Sequence, residues 1–314
     1  MNYVTLFDSR YLLRGAAMIE SFRKFDSESS IHVLSLDDEC KAKLRRHFGR
    51  DDGILVYGLE DLDARLIAQI RGSREHREFC WTLGSVFSNW IMNCHEKDVV
   101  YLDADIYFLG NPKEILVEVE GADLAAIPHR FPERLQSYEI NGRFNVQWVY
   151  FKASVVGRRA LSRWASQCID CCDYAPERGI VGDQKYLDEW PVLYPTFREI
   201  ANVGAGVAPW NHEMDEVKIE DGQFWFGKKP LIFFHFHNLK IQNNGRVQMS
   251  APMYEDIRRL PVNLYRVYLA HLAVLSSSME HRGEWPESSA WRIRTDQTSR
   301  WRVVRSLIKQ IKRL

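Results

Sequence analysis

The stretch KDVVYLDADIYFLGNP, Lys97 to Pro112, constrains the fold more than any other part of the chain. Its VVYL is a continuous apolar run, as a central strand buried on both faces requires, and it stops at Asp103. Asp103 and Asp105 therefore stand at the carboxyl end of a buried strand. In open α/β sheets ligands bind along that edge, and side chains at i and i+2 of an extended segment point to the same side. Two carboxylates so placed repel each other unless a cation lies between them. A hard divalent ion such as Mg²⁺ or Mn²⁺ takes oxygen ligands and commonly bridges to substrate phosphates, so the pair reads as a holder for a metal diphosphate.

The rest of the chain supports such a sheet. Short β-rich runs alternate with longer amphipathic segments: NYVTLF, a helix around Leu13 to Phe25, IHVLSL, a helix near Glu39 to Phe48, then GILVYGL. That alternation predicts an α/β sheet with helices on its faces. A helix carrying apolar Val86, Phe87, Trp90 and Ile91 leads into the strand before Asp103. With no internal repeat or low-complexity linker before about residue 250, the expectation is one α/β domain over 1–251 and a mainly helical extension from Pro252, over 252–314. A second D-x-D, Asp61 and Asp63 in LEDLDAR, sits in a polar helix-start context beside Glu60 and reads as capping and surface charge.

Composition narrows the function. With 42 basic and 42 acidic side chains in 314 residues the formal net charge is zero, so no global field would draw the chain to nucleic acid. No basic start precedes an apolar h-region at the N-terminus, and no run approaches the ~20 apolar residues of a membrane span, so a cytosolic protein is expected. The six cysteines, Cys40, Cys80, Cys94, Cys168, Cys171 and Cys172, contain no paired C-x-x-C zinc pattern and are expected to be reduced thiols.

VVYLDADIYFLGNP resembles the signature of the GT-A glycosyltransferases, particularly the family-8-like group, and the resemblance extends in order over roughly residues 3 to 240. It implies a GT-A (Rossmann-like) mixed, mainly parallel sheet with flanking helices. It also implies Mn²⁺ or Mg²⁺ on Asp103 and Asp105, gripping the diphosphate of a nucleotide-sugar donor, UDP-linked, with Asp103 also touching the ribose. TLFDSRYLLRGAAMIESF is similar to the family's first strand and helix, which assigns Thr5, Asp8 and Tyr11 to the nucleobase; a tyrosine at a strand-to-helix turn can stack on a planar base. GRFNVQWVYFKAS puts Asn145 where the family contacts the transferred sugar, with Gln147 where a small residue is usual. VGDQKYLDEW matches the family's D-Q pair, so Asp183 and Gln184 are candidates for lining the reacting face; an acidic residue there also suits a plain N-cap. PLIFFHFHNLK ends an apolar strand at His235, implied as the third metal ligand, with His237 a second candidate by strand parity and Lys240 the phosphate candidate. Asn238 replaces the family's usual glycine there. NVGAGVAPWN, Asn202 to Asn211, resembles an acceptor-side loop or is an ordinary connection.

The resemblance implies transfer of a sugar to a hydroxyl acceptor, carbohydrate or lipid-linked, with retention of anomeric configuration and leaving-group stabilisation as the main catalytic effect. Two other classes compete. Phosphatases of the haloacid-dehalogenase type use D-x-D at a strand end, but near the start of the chain and followed by threonine or valine, whereas here Ile106 and Tyr107 follow. A carbohydrate-binding module would suit 10 tryptophans and 13 tyrosines but has no need of an acidic pair and a histidine. Finally, Ser299 to Leu314 places Trp301, Val304, Leu307, Ile308, Ile311 and Leu314 on one helical arc, opposite Arg302, Arg305, Lys309, Lys312 and Arg313. It reads either as a terminal packing helix with a basic face or as an interfacial helix on an anionic membrane, which would put a peripheral enzyme of bacterial surface polysaccharide or glycolipid synthesis at the inner leaflet.

Overall fold

The apolar runs of the sequence form the strands expected of them. In the computed structural model, which describes residues 1–241, 247–254 and 261–280, β1 (Asn2–Phe7) and β4 (Val99–Leu102) are buried along their whole length. With β2 (Ser30–Ser35), β3 (Ile54–Tyr57), β6 (Leu124–Pro128), β7 (Phe144–Phe151) and β10 (Phe197–Glu199) they build a seven-stranded sheet of order β10-β6-β7-β4-β1-β2-β3. Every pairing is parallel except those of β7, which runs antiparallel to both β4 and β6. The fold is therefore mixed α/β with a mainly parallel sheet.

The contacts divide the chain into two compact units. The first comprises Met1–Leu12, Asp26–Ala104 and Lys113–Asn202 and contains this sheet. Against the sheet pack α2 (Asp38–Phe48), α3 (Ala64–Ser73), α4 (His76–His95) and α6 (Val155–Asp170), with the short α5 (Lys113–Leu116) and α7 (Trp190–Leu193) and a small hairpin of β8 (Tyr174–Ala175) and β9 (Ile180–Val181). The core joins Val4, Val99, Tyr101 and Val149 of the sheet to Leu83, Phe87 and Ile91 of α4 and Leu161 and Trp164 of α6. Each such side chain contributes roughly 1.5–3 kcal/mol by leaving water. Gly84 lets α4 approach closely, since a Cβ there would meet the Tyr101 ring at 3.1 Å. Helix starts carry the expected caps: Asp37 accepts from Cys40 N, Asp63 from Arg65 N and Leu66 N, and Ser154 from Gly157 N. Asp61 accepts from Gly58 N. The second D-x-D is thus local capping and turn chemistry, as its polar context implied.

The second unit comprises Leu13–Phe25, Asp105–Pro112 and the described residues from Val203 onward. It holds nearly all of α1 (Leu12–Arg23), and β5 (Ile106–Phe108) paired antiparallel with β14 (Phe233–His235). It also contains the three-stranded β11 (Val217–Glu220), β12 (Gln223–Phe226) and β13 (Lys229–Pro230), the hairpin of β15 (Lys240–Ile241) and β16 (Val247–Gln248), and α8 (Val262–Ser278). Helix α8 buries Tyr265, Tyr268, His271 and Leu272; Tyr268 stacks on Phe236 at 3.8 Å, and His271 bonds both Tyr107 and Glu20. The basic segment Ser299–Leu314 lies outside the described residues. Among the described residues no helix is long and apolar enough to cross a membrane. All six cysteines are free thiols, and burial pushes Cys40 and Cys80 up to about 12.

Candidate functional site

The D-x-D motif is divided: Asp103 belongs to the first unit and Asp105 to the second. In the second unit, the β5–β14 register sets His235 opposite Ile106, and Phe236 N donates to the Asp105 carbonyl at 2.9 Å. Asp105 and His235 are thereby made neighbours, with Asp105 Oδ1 3.0 Å from His235 Nε2 and both side chains nearly excluded from solvent. Burial would raise the Asp105 carboxyl, but His235, then His237 and Arg14, outweigh it and hold it well below the usual carboxylate range. Asp105, His235 and His237 each offer a ligand atom, all within 4.8 Å of one another. Burial first, and His235 next, hold His237 down to about 4, so its imidazole is neutral near pH 7 and keeps a lone pair. One carboxylate and two imidazoles are a fit donor set for a divalent ion.

The surroundings fix these rings. Trp210, from the Gly-rich loop, is buried and meets His235 and His237 edge to face at 5.3 and 5.5 Å. The loop is held by Asn211, whose side chain accepts from Ala208 N, and by His235 N donating to Val207 O. Asn238, where a glycine is usual in the resembling family, adopts φ +58°, a left-handed conformation that asparagine tolerates better than most residues. Its side-chain amide contacts His237 Nε2 at 2.8 Å. Arg14 donates to Leu239 O at 2.9 Å and acts on Asp105 electrostatically, while Lys240, in β15, is exposed.

In the first unit, the sheet gathers a second group. Between β6 and β7 the register shifts after Ala126, so that Ile127 opposes Asn145. Such bulges re-aim side chains. Asn145 Nδ2 contacts His129 Nε2 at 3.0 Å and donates to Gln184 Oε1 at 3.3 Å, while Asn145 Oδ1 accepts from Gln147 N. His129 Nδ1 lies 3.3 Å from Arg143 O, a pattern satisfied by the tautomer protonated on Nδ1. Gln184 Nε2 donates to Asn141 O at 2.7 Å. Both ends of the Gln184 amide are therefore oriented.

Asp183 precedes this glutamine at the head of a 3-10 turn but makes no capping bond with its side chain. Buried, and facing the charge of Asp103, its carboxyl is raised well above the ordinary range by burial first and Asp103 second. Tyr101, in β4, donates to Asp103 Oδ1 at 3.2 Å. Within β1, Thr5 is fully buried; just after it, Asp8 accepts from Tyr11 N and contacts Arg10 and His76 Nε2, and Tyr11 is 42% exposed.

The structure thus brings Asp105 together with both candidate histidines, and Asn145 together with Gln184. His129, Arg14, His76 and Trp210 were not singled out from sequence. Only Arg14, a lone cation inside the apolar YLLRGAAMI, left a usable signal.

No protein-family model matches the chain. It is 26% identical over 284 residues to YfnF, an uncharacterized protein of Bacillus subtilis (strain 168), spanning 86% of this chain and 92% of YfnF. It is 27% identical over 240 residues to YfnD of the same organism, also uncharacterized, spanning 75% and 76%. An active-site mutant of LgtC aligns at 17% identity with a TM-score of 0.50, over 75% of this chain and 86% of that one. Another structure, the galactosyltransferase LgtC with donor and acceptor sugar analogues, aligns at 18% identity with a TM-score of 0.48 over the same shares. The likeness is one of fold. The chain has a GT-A-like glycosyltransferase fold.

Proposed function

We propose that this protein is a metal-dependent glycosyltransferase of the family-8-like kind, moving a sugar from a UDP-linked donor to a hydroxyl acceptor. The observation that carries the reading is the buried Asp105 and His235 pair, with His237 beside it, on a GT-A-like fold. Asp103, Asp105 and His235 would hold Mn²⁺ or Mg²⁺, which when bound supplies positive charge to the departing diphosphate.

The remaining roles belong to the chain itself. Thr5, Asp8 and Tyr11 are assigned to the nucleobase, Asp103 also to the ribose, and Lys240 to the phosphates, where Arg14 adds a second cation. Asn145 and Gln184 orient the donor sugar through amides whose directions are fixed by His129 and Asn141. Asp183, held toward its neutral form by burial, can hydrogen-bond a sugar hydroxyl without repelling the diphosphate. Retention of configuration is part of the reading, with Asp183 and Gln184 lining the reacting face. The acceptor is a carbohydrate or a lipid-linked sugar of bacterial surface polysaccharide or glycolipid synthesis. Ser299–Leu314 would rest on the anionic inner leaflet, each basic residue adding about 1 kcal/mol.

The test is a screen for UDP release across nucleotide-sugars with Mn²⁺ and candidate acceptors. Release with a UDP-sugar, lost on chelation, is expected. No release, together with no Mn²⁺-dependent UDP binding by calorimetry, overturns the reading. Liposome co-sedimentation of the full chain against one ending at Gln297 tests the membrane contact: pelleting of the full chain alone, on anionic lipid, is expected.

A further inference from the structure

We infer that His237 is a metal ligand in its own right, making the cation site rich enough in nitrogen to select Mn²⁺, Co²⁺ or another first-row transition ion over Mg²⁺. This deepens the proposed function, because it rests on Asp105 and His235 forming a cation site.

Three observations carry it. His237 is not merely near the pair: its ligand atom, that of His235 and that of Asp105 lie within one ion's reach of each other, at 4.8 Å or less. Its ring is also held in place. Trp210 packs edge-on against both imidazoles, which stand 5.4 Å apart at 82°, and Tyr254 adds a ring contact to His237 at 6.3 Å. Finally, the Asn238 amide touches His237 Nε2. That contact, Asn238 Nδ2 to His237 Nε2 at 2.8 Å, orients the ring, as outer partners of ligating histidines commonly do. Asn238 adopts φ +58° and supplies this amide, which a glycine at this position lacks.

The chemistry follows from the donor atoms. Mg²⁺ prefers oxygen ligands and holds its water tightly, and Mn²⁺ also favours oxygen, whereas imidazole nitrogen suits Zn²⁺ and the later first-row ions; at a given site of mixed donors affinity rises from Mn²⁺ to Co²⁺. Two imidazoles and the Asp105 carboxylate, with Asp103 proposed above as a further oxygen ligand, make a mixed nitrogen and oxygen set of the kind that binds such ions. A second imidazole on the same ion should therefore strengthen transition metals far more than Mg²⁺.

The experiment uses the full chain and the metals alone. Co²⁺, Mn²⁺ and Mg²⁺ are titrated by calorimetry into wild type, His237→Ala and His237→Gln, with the visible absorption of bound Co²⁺ reporting its nitrogen ligands and thermal melting reporting the fold. In the wild type, Co²⁺ should bind at least about tenfold tighter than Mg²⁺; in both variants Co²⁺ should weaken by about tenfold or more while Mg²⁺ changes by less than about twofold, with a changed Co²⁺ spectrum. If the alanine variant melts early, the glutamine variant, which keeps the bulk of the side chain, supplies the comparison. Binding with an unchanged Co²⁺ to Mg²⁺ ratio and spectrum in the variants overturns the role of His237 alone. No binding of any of these ions by the wild type overturns the cation site and the proposed function with it.

Discussion

His235 Nε2 stands 3.0 Å from Asp105 Oδ1 in a place almost closed to solvent. Burying such a pair costs desolvation that its mutual attraction often only offsets, so stability alone is a poor reason for it. A cation that both groups ligate is a better one. Asp105→Asn should therefore lower Mn²⁺-dependent UDP release by about a hundredfold or more, the scale on which single electrostatic partners of a transition state act. Asp61→Asn, which alters a local turn bond to Gly58 N, should leave release within about twofold. Parallel assays of the two variants, with melting curves, decide it; equal losses would remove the distinction between the two motifs.

Arg14 and Lys240 make a second contrast. Arg14 is anchored on Leu239 O and acts on Asp105, while Lys240 sits exposed on a short hairpin. Arg14→Gln should weaken Mn²⁺-dependent UDP binding more than Lys240→Gln does. Calorimetry on both gives the order, and the reverse order would restore the lysine as the main phosphate contact.

His129 touches Asn145, and Asn145 touches Gln184. Truncating His129 leaves a buried amide N–H short of a partner, at a cost of about 1–3 kcal/mol, and frees the amide to turn. His129→Ala should lower kcat for transfer while UDP affinity in Mn²⁺ stays near wild type. A variant that lost UDP affinity instead would place His129 in donor binding rather than in sugar positioning.

These groups differ in how far the sequence disclosed them. VVYL and NYVTLF read as buried strands because an unbroken apolar run has few other uses, and both are buried throughout. The strand end then located Asp103 and Asp105. His235 and His237 were legible from their place after FF, but which of them meets Asp105 depends on the pairing of β14 with β5, a long-range event that local pattern does not encode. His129 stayed hidden for the same reason: a bulge between β6 and β7 gives it Asn145 as a neighbour. Trp210 sat in a loop whose Gly and Pro content suggested a connection, whereas Asn211 and Val207 tie it down as a wall for two imidazoles. Asn238, where the resembling family usually has glycine, reaches φ +58° and brings an amide with it.

His32, buried in β2, contacts Tyr57 Oη at 3.1 Å and Asn2 Oδ1 at 3.3 Å, and its ring lies 4.6 Å from that of His95. Burial first, and His95 next, hold its pKa down to about 3, against an ordinary value of 6.5. Folding therefore favours the neutral ring. Above pH 6.5 neither the folded nor the unfolded chain protonates His32, and the group has no effect on stability. Between pH 6.5 and about 3 the unfolded chain takes a proton that the folded one refuses, so stability falls as pH falls, by up to about 1.4 kcal/mol per pH unit from this residue. His32→Gln, which can still meet Tyr57 and Asn2 but does not titrate, should flatten that acid limb. Denaturant unfolding of both proteins at pH 7.5, 6 and 5 measures it: the gap between them should shift in favour of the glutamine variant as the pH drops, and a gap constant across the three pH values would mean that His32 is not held neutral by the fold.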